Sequence, residues 1–356
     1  MQLNETSAFL WTQFDNTTDI NSLTEQCIHH FHCSQTDYSA IQSSVVQFIN
    51  SLCEKGILIP DTVMLTNSKP SKTLRIANLF CRFYNLNIEF PKEFLAFETH
   101  EVIFADSPCM NINILPKVPI HHKNGNLILR NESLCILDTD DKYLLLFPSF
   151  HEVKEASITK NGTEATLYSA SDFTPRGIEE FSYAVRILFF YFAQMHNMTA
   201  IHSASILYAD RLWLFSGSSG TGKSTHTNLW QENFSTPVIN GDLNLITLSN
   251  GLPTVHGIPW CGTSGIYHTQ SYPLGGIIFL EQGNTNMVSE YTADRKQLAL
   301  LHRCVSPSWT ATLQEFNCNI LQEISDNIYI CKLSCTADNT AVACIKNAID
   351  KYLDNL

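Results

Sequence analysis

The segment that most constrains this fold is Gly217-Ser-Ser-Gly-Thr-Gly-Lys-Ser224, which matches the pattern G-x-x-x-x-G-K-[ST]. The apolar run at 211–216 precedes it and is typical of a buried strand, and the segment 225–230 that follows can open a helix. Glycines allow successive backbone N–H groups to point at one anion, and a helix N-terminus adds positive potential. The motif therefore predicts a strand, a phosphate-binding loop and a helix, with a nucleoside triphosphate as the ligand.

The residues of this loop have separate expected roles. Lys223 is expected to reach the outer phosphates, and the Ser224 hydroxyl is expected to bind Mg²⁺. ATP and Mg²⁺ are thus the predicted cofactors. We expect the nucleotide to be held by Gly217, Ser218, Ser219, Gly220, Thr221, Gly222, Lys223, Ser224, Thr225 and, for the reason given below, His256.

A second acidic group is needed to hold Mg²⁺, and Asp242 is the best candidate. It ends the apolar run that leads into Asn240-Gly-Asp242, after the helix and strand that would follow the phosphate loop. Asn-Gly-Asp segments also form turns for conformational reasons alone. The functional interpretation of Asp242 therefore depends on the neighbouring phosphate loop.

Composition limits the partners of the chain. Its 356 residues carry 22 Lys+Arg against 34 Asp+Glu, a formal net charge of -12, so it lacks the overall basic field of nucleic-acid-binding proteins. The longest apolar stretch, 187–193, is well short of the roughly 20 residues of a spanning helix, and the N-terminus shows no secretory pattern. The 12 cysteines are scattered without a C-x-x-C pair, which argues against zinc and disulfide frameworks. We expect a cytoplasmic protein with neither nucleic acid nor membrane as a partner.

The first part of the chain, residues 1–60, has apolar residues at helical spacing in three groups separated by polar breaks. The third predicted helix ends at Gly56, and Ile57-Leu-Ile59 before Pro60 is typical of a strand start. Three helices followed by a strand give the outline of a small α+β domain of the winged-helix type.

Residues 61–94 are predicted to form a connector that includes a helix at 73–84. Residues 95–356 are predicted to form an α/β domain, in which short apolar runs alternate with Asn, Asp, Gly and Pro before a long helix begins. The predicted elements of this domain are strands at 101–104, 126–129, 143–147 and 165–170, a helix at 176–197 and a closing helix at 341–354.

The N-terminal part resembles the PqqD-like domains across about residues 3–60. The likeness is carried by Asn4-Glu-Thr-Ser-Ala-Phe-Leu-Trp11, in which Ala8 and Trp11 are expected to face inward, by Cys27-Ile28, and by the segment that runs from Leu52 to Leu58. The resemblance implies that this domain recognises the leader of a ribosomally made peptide during its modification.

The larger part resembles the HPr kinase family and its relatives that share the fold of ATP-dependent phosphoenolpyruvate carboxykinase, across about residues 95–350. The likeness is carried by Ile201-His-Ser-Ala-Ser-Ile206, the phosphate loop and Asn240-Gly-Asp242, in that order. It implies an α/β P-loop kinase core with a mixed sheet and flanking helices. By this resemblance Lys223 contacts the transferred phosphate, Ser224 and Asp242 organise Mg²⁺, Asp242 takes the acceptor's proton, and His202 lies near the transferred phosphate.

The chain departs from that pattern in its acidic turn, where HPr kinases carry paired aspartates and this chain has Gly241 before Asp242. The stretch His256-Gly-Ile-Pro-Trp-Cys-Gly262 resembles the peptide-modifying kinases of the group, where it lies near the nucleotide or acceptor. His256 is therefore a candidate ligand, with a structural role equally open. Glu281 is predicted either to reach the nucleotide pocket or to cap a surface strand, and His226 to lie in the first turn of the helix.

These features predict an ATP- and Mg²⁺-dependent kinase for a Ser or Thr hydroxyl on a ribosomally made precursor peptide or small protein, with leader capture by the N-terminal domain. Two alternatives stay open. One is a kinase for a small-molecule hydroxyl, and the other is a nucleotide-binding regulatory protein with little turnover. The sequence also leaves open a homo-oligomer.

Overall fold

The structure is a computed structural model, and it describes residues 4–14, 20–34, 37–54, 57, 70–86, 90–116, 125–169, 175–249 and 251–355. The described helices are α1 (Glu5–Gln13), α2 (Ile20–His30), α3 (Tyr38–Glu54), α4 (Lys92–Leu95), α5 (Pro175–Met195), α6 (Lys223–Phe234), α7 (Ala293–Leu301), α8 (Ala311–Asn327) and α9 (Asn339–Leu353). Among them, none combines the length and the apolar character that crossing a bilayer requires.

Two mixed sheets are formed by strands β1–β16. Their bounds are β1 (Lys72–Ile76), β2 (Leu79–Tyr84), β3 (Cys109–Pro116), β4 (Asn126–Arg130), β5 (Cys135–Asp138), β6 (Lys142–Leu146), β7 (Val153–Thr159), β8 (Glu164–Ser169), β9 (Met198–Tyr208), β10 (Arg211–Ser216), β11 (Val238–Asn240), β12 (Leu243–Ser249), β13 (Leu252–His256), β14 (Ser271–Gln282), β15 (Met287–Glu290) and β16 (Tyr329–Cys335).

The first sheet has the order β1-β2-β3-β8-β7-β6-β5-β4. Strand β3 pairs in parallel with both β2 and β8, and the strands from β4 to β8 form an antiparallel meander. One face of this sheet packs against α5, with Phe181, Leu188 and Phe192 of the helix fully buried.

The second sheet carries the phosphate loop and has the order β10-β9-β12-β13-β14-β16-β15. Strand β10 also pairs in parallel with β14, so that β9, β12, β13, β14 and β10 form a ring of pairings. The side chains of β10 alternate between the two faces of the sheet, as expected for a strand. Leu212 and Leu214 pack with α7 and α8, whereas Trp213 and Phe215 pack with α6 and α9. Helices therefore cover both faces, and the expectation of an α/β fold with mixed sheets and flanking helices is confirmed.

The three N-terminal helices form where the apolar spacing predicts them, around a small cluster of Leu10, Leu23, Cys27 and Val45. The expected orientation of α1 is wrong. Trp11 is 46% exposed and Ala8 is exposed, while Leu10 is the residue of α1 that is buried. The expected helix end at Gly56 and the strand from Ile57 to Ile59 fall largely outside the described residues.

Two local predictions are wrong for identifiable reasons. Residues 73–84 lie in the hairpin of β1 and β2 instead of a helix, because their apolar side chains alternate with a period of two and the chain turns at Ala77, whose φ is 56°. The predicted connector 61–94 thus contributes two strands to the first sheet. Residues 101–104 are not a strand, since Val102 and Phe104 are 77% and 70% exposed and find no apolar surface to cover them.

Candidate functional site

The phosphate loop connects the end of β10 to the start of α6, as predicted. Gly220 and Gly222 have φ of 77° and 93°, the left-handed region that side chains disfavour. Neither position is crowded, so backbone conformation is what requires glycine there. The Thr221 backbone N–H and its hydroxyl donate to the Ser218 carbonyl at 3.2 Å and 2.8 Å. These bonds close the loop into the concave shape that exposes N–H groups at the start of α6.

Lys223 folds back across this loop. Its Nζ donates to the carbonyls of Gly217 at 3.1 Å and Ser218 at 3.3 Å, which holds the ammonium over the concave side. Burial, together with the charge of Arg303, lowers the pKa of Lys223, and the Asp242 carboxylate acts in the opposite direction. Lys223 therefore lies within electrostatic reach of both Arg303 and Asp242.

His202 and Asp242 form a direct pair beside the loop. His202 lies in β9 and Asp242 in the turn between β11 and β12, and their Nε2 and Oδ1 atoms are 3.1 Å apart. The Asp242 carbonyl accepts from the Ser203 backbone N–H at 2.9 Å. The Asn240 side chain in turn accepts from the backbone of Asp242 at 2.9 Å and of Leu243 at 3.1 Å, which fixes the turn.

The electrostatics of this pair keep the carboxylate charged. The hydrogen bond with His202 lowers the pKa of Asp242 against the effect of burial, and the charges of Arg186 and Lys223 add to the lowering. An ionised carboxylate offers only acceptor oxygens. Asp242 is therefore suited to hold a divalent cation or to accept a proton, which are the roles the resemblance implies.

Position 241, where a second aspartate would stand, has no room for a side chain. A Cβ placed on Gly241 would collide with the Ser264 side chain, whose hydroxyl donates to the Cys261 carbonyl at 2.6 Å and accepts from the Ile266 N–H at 3.2 Å. Gly262, at φ 59°, approaches Asp242 so closely that a Cβ there would lie 2.9 Å from the aspartate Cβ. The 261–266 segment thus packs directly on the acidic turn and leaves room for one carboxylate.

Arg303 belongs to this site, and the sequence analysis missed it. It follows α7, and its Nη2 donates to the Ser218 hydroxyl at 2.9 Å, while its carbonyl accepts from the backbone N–H of His202 at 2.8 Å. One residue therefore contacts both the phosphate loop and the strand that carries the histidine. Arg303 and Ser218 are 85 residues apart in the sequence, so no local motif indicates their contact.

The remaining loop and helix residues fall where the motif places them. Ser224 and Thr225 are exposed in the first turn of α6, and Ser224 is therefore accessible to a cation at the phosphates. His226 is buried, accepts from Trp230 Nε1 at 3.2 Å, and has its pKa lowered to about 4 by burial. It is a neutral packing residue of the first turn, as predicted.

His256 occupies a different setting. It lies in β13, where its Nε2 is 2.8 Å from the Thr247 hydroxyl and its Nδ1 is 2.7 Å from the Ser271 hydroxyl, and burial lowers its pKa to about 4. Both ring nitrogens are thus engaged by neighbouring strands. The structure gives His256 cross-strand contacts, and it brings His202 rather than His256 to the acidic turn.

Two cavities lie at this site, one against the phosphate loop and one beside the His202–Asp242 pair. The larger, about 830 Å³, is lined by loop residues 217–221, by Tyr291, Arg295 and Arg303, and by Glu281, which pairs with Lys332. Glu281 is exposed and also lines the cavity at the phosphate loop, so both positions predicted for it stay open. The smaller, about 480 Å³, lies on the side of His202 and Asp242 and includes Arg186. The site thus has one open space at the loop and another at the carboxylate.

No protein-family model matches the chain, and no curated protein is similar to it.

Proposed function

We propose that this protein is an ATP- and Mg²⁺-dependent kinase that phosphorylates a Ser or Thr hydroxyl of a ribosomally made precursor peptide or small protein. The observation that carries the proposal is the convergence of a phosphate loop, its lysine and the His202–Asp242 pair on one site flanked by two cavities. The resemblance to HPr kinases and PqqD-like domains, which is a likeness of motifs, gives the acceptor class.

The two cavities suggest separate binding sites for the nucleoside part of ATP and for the acceptor. The one at residues 217–221 is placed to take the nucleoside part of ATP, while its phosphates lie against the loop N–H groups and Lys223. The one at Asp242 is placed to take the acceptor. Phosphoryl transfer depends mainly on positioning and charge stabilisation, and such an arrangement supplies both.

The residues present suit the metal. Asp242 is ionised and Ser224 is exposed in the first turn of α6, so that a carboxylate and a hydroxyl oxygen, the ligand types Mg²⁺ prefers, are available. When bound, Mg²⁺ would neutralise phosphate charge. Lys223 and Arg303 would add positive charge on the other side of the transferred group.

The proton of the acceptor hydroxyl has a defined route in this scheme. Asp242 accepts it as the hydroxyl oxygen forms a bond to the γ-phosphorus and the bond to ADP breaks. His202 Nε2, 3.1 Å from the carboxylate, donates to it and orients it for this step. Arg303 positions His202 through its backbone carbonyl and Ser218 through its guanidinium.

The N-terminal helices are proposed to capture the leader of the substrate. They surround an apolar cluster of their own, and Trp11 is left 46% exposed on α1. Aromatic side chains exposed in this way are frequent anchors at protein interfaces.

A second candidate is a kinase for a small-molecule hydroxyl. It is favoured by the acceptor cavity, whose volume of about 480 Å³ lies within the range typical of small-ligand pockets. In that case the N-terminal helices would serve docking or oligomerisation.

Mass spectrometry after incubation with ATP, Mg²⁺ and a precursor peptide encoded beside the gene tests the proposal, with Lys223→Ala and Asp242→Ala as controls. The expected result is one added phosphoryl group on a Ser or Thr, absent with both variants. Transfer to small hydroxyl compounds alone would favour the second candidate. Nucleotide binding without transfer to any acceptor would overturn both and leave a regulatory protein.

A further inference from the structure

The smaller cavity contains a basic residue that has no carboxylate at ion-pair distance among the described residues. Arg186 lies on α5 in the wall of the cavity that also exposes His202 and Asp242. Its guanidinium carbon lies 4.7 Å from the centre of the Tyr183 ring, one turn earlier on the helix. This stacking fixes the plane of the guanidinium but does not neutralise its charge.

Arg186 is the lysine or arginine that lines this cavity. Among the residues that the structure describes, none places a carboxylate within ion-pair distance of its guanidinium, although its charge still acts on Asp242. Some of the described basic side chains do have a carboxylate partner. Examples are Lys72 with Glu98, Arg75 with Glu101, Lys160 with Asp138, and Lys346 with Asp350.

Two other polar residues of the cavity wall are engaged within the protein. The Asn131 side chain accepts from the backbone N–H groups of Ser133 and Leu134, both at 2.9 Å. The Ser306 hydroxyl accepts from the Ala200 N–H at 2.9 Å. Arg186 and the Trp309 indole N–H, which is buried without a hydrogen-bond partner, are therefore available as donors in this wall, and Arg186 is the charged one.

We propose that Arg186 binds a carboxylate of the phosphoryl acceptor, so that the cavity selects a hydroxyl that lies a few bonds from a carboxylate. This inference rests on the proposed kinase function and names its acceptor class. This carboxylate belongs either to a peptide in which an acidic residue adjoins the Ser or Thr, or to a free hydroxy amino acid. Arginine suits the task because its planar fork can donate two hydrogen bonds to one carboxylate.

The size and lining of the cavity agree with such an acceptor. About 480 Å³ holds a hydroxyl-bearing side chain together with its carboxylate neighbour. The hydroxyl would face Asp242, in the turn that precedes β12, while the carboxylate would face Arg186 on α5. Tyr183 and Trp309 supply apolar walls between the two ends. Repulsion by Asp242 would make the reverse orientation unfavourable.

Two pairs of probes test the inference. The peptide Ac-Ala-Ser-Glu-NH₂ is compared with Ac-Ala-Ser-Gln-NH₂, and free L-serine with serinamide. Binding is measured by calorimetry on the full chain carrying Asp242→Asn, which does not depend on turnover, and phosphoryl transfer is measured on the chain with Asp242 intact. We expect the carboxylate member of at least one pair to bind about 10- to 100-fold more tightly, the effect of one charge-assisted pair of hydrogen bonds. The pair that shows this preference identifies the source of the carboxylate.

Variants of Arg186 separate recognition from a structural role. Arg186→Met should abolish the preference for the carboxylate probes and raise their KM with a smaller effect on kcat. Arg186→Glu should shift the preference toward Ac-Ala-Ser-Lys-NH₂, a reversal that loss of packing alone would not produce. Arg75→Met, which removes an arginine in β1 outside this cavity, should leave the preference unchanged.

The outcomes distinguish this inference from the proposed function. Equal binding of the acid and amide members of both pairs, or binding of neither member, would overturn the role of Arg186 even when transfer to another peptide is observed. A carboxylate preference that requires Arg186 in the binding assay would support it even when no transfer occurs, and the failure would then belong to the kinase proposal.

Discussion

Replacing Gly241 with alanine tests how tightly the 261–266 segment constrains the acidic turn. The new Cβ would lie 2.5 Å from the Ser264 Cβ, so rotation of the hydroxyl alone cannot relieve the collision. Moving Ser264 would also weaken its two hydrogen bonds, to the Cys261 carbonyl and from the Ile266 N–H. Overpacking typically costs about 1–3 kcal/mol and each such bond is worth about 1 kcal/mol, so we expect Gly241→Ala to lower the free energy of unfolding by about 2–3 kcal/mol.

Urea unfolding of four proteins measures this effect: the unmodified chain, Gly241→Ala, Ser264→Gly and the double variant. Ser264→Gly removes the obstructing side chain, so the double variant should be more stable than the sum of the single effects predicts, by about 1–3 kcal/mol. Unfolding midpoints and slopes should be followed by two probes, because a chain of this size need not unfold in one step.

The reasoning would be refuted by a Gly241→Ala protein as stable as the unmodified chain, or by single effects that add without coupling. Either result would mean that the turn has room for a side chain. In that case a second aspartate at 241 would be sterically allowed, and its absence would need an explanation other than packing.

Three further predictions concern the site and its neighbourhood. Asp242→Asn should lower the rate of phosphoryl transfer by about 10²–10⁴-fold while the far-UV circular dichroism spectrum is retained, since the amide neither binds a cation well nor accepts the proton; a rate within tenfold of the original would contradict this. Arg303→Met should raise the Kd for ATP about tenfold by removing the contact with Ser218, and nucleotide titration checks it, with Arg75→Met as the control that leaves the Kd unchanged. For His226, burial lowers the pKa of the folded state from 6.5 to about 4, so its contribution to stability is present above pH 6.5 and is lost as the pH falls toward 4. Between pH 7.5 and 5 this loss amounts to about 2 kcal/mol, and His226→Gln should lose correspondingly less on urea unfolding at these two pH values.

Prediction from the sequence succeeds where the determinants are local. Strand β10 runs from Arg211 to Ser216 as expected, and α6 follows the phosphate loop, because glycines at left-handed φ and an alternating apolar run determine both without distant contacts. The predicted helix at 73–84 is wrong because a short apolar run is ambiguous in period. The alternation Leu74-Arg75-Ile76, in which a charged residue stands between two apolar ones, is the sequence signal that indicates a strand there.

Other features of the site depend on pairings between distant segments. Arg303 reaches Ser218 only because the chain after α7 bridges to β9, where Cys304 pairs with Ile201. Ser264 reaches Gly241 through a loop that follows β13. Neither contact has a sequence motif. Arg186 does carry a local signal, since it is a charge one turn from Tyr183 on an otherwise largely apolar helix that packs against a sheet.

In the proposed kinase, the single carboxylate of the acidic turn has two tasks, to help hold Mg²⁺ and to accept the proton of the acceptor hydroxyl. A lowered pKa suits Asp242 to bind a cation but makes it a weaker base. His202 Nε2 donates to the ionised carboxylate 3.1 Å away, so it orients Asp242 and favours the charged form that binds a cation, at the expense of its basicity. In an acidic turn with two aspartates, one carboxylate can hold the metal while the other takes the proton. In this chain Ser264 leaves no room for a side chain at position 241, so both tasks fall on Asp242, and His202 holds that carboxylate in place.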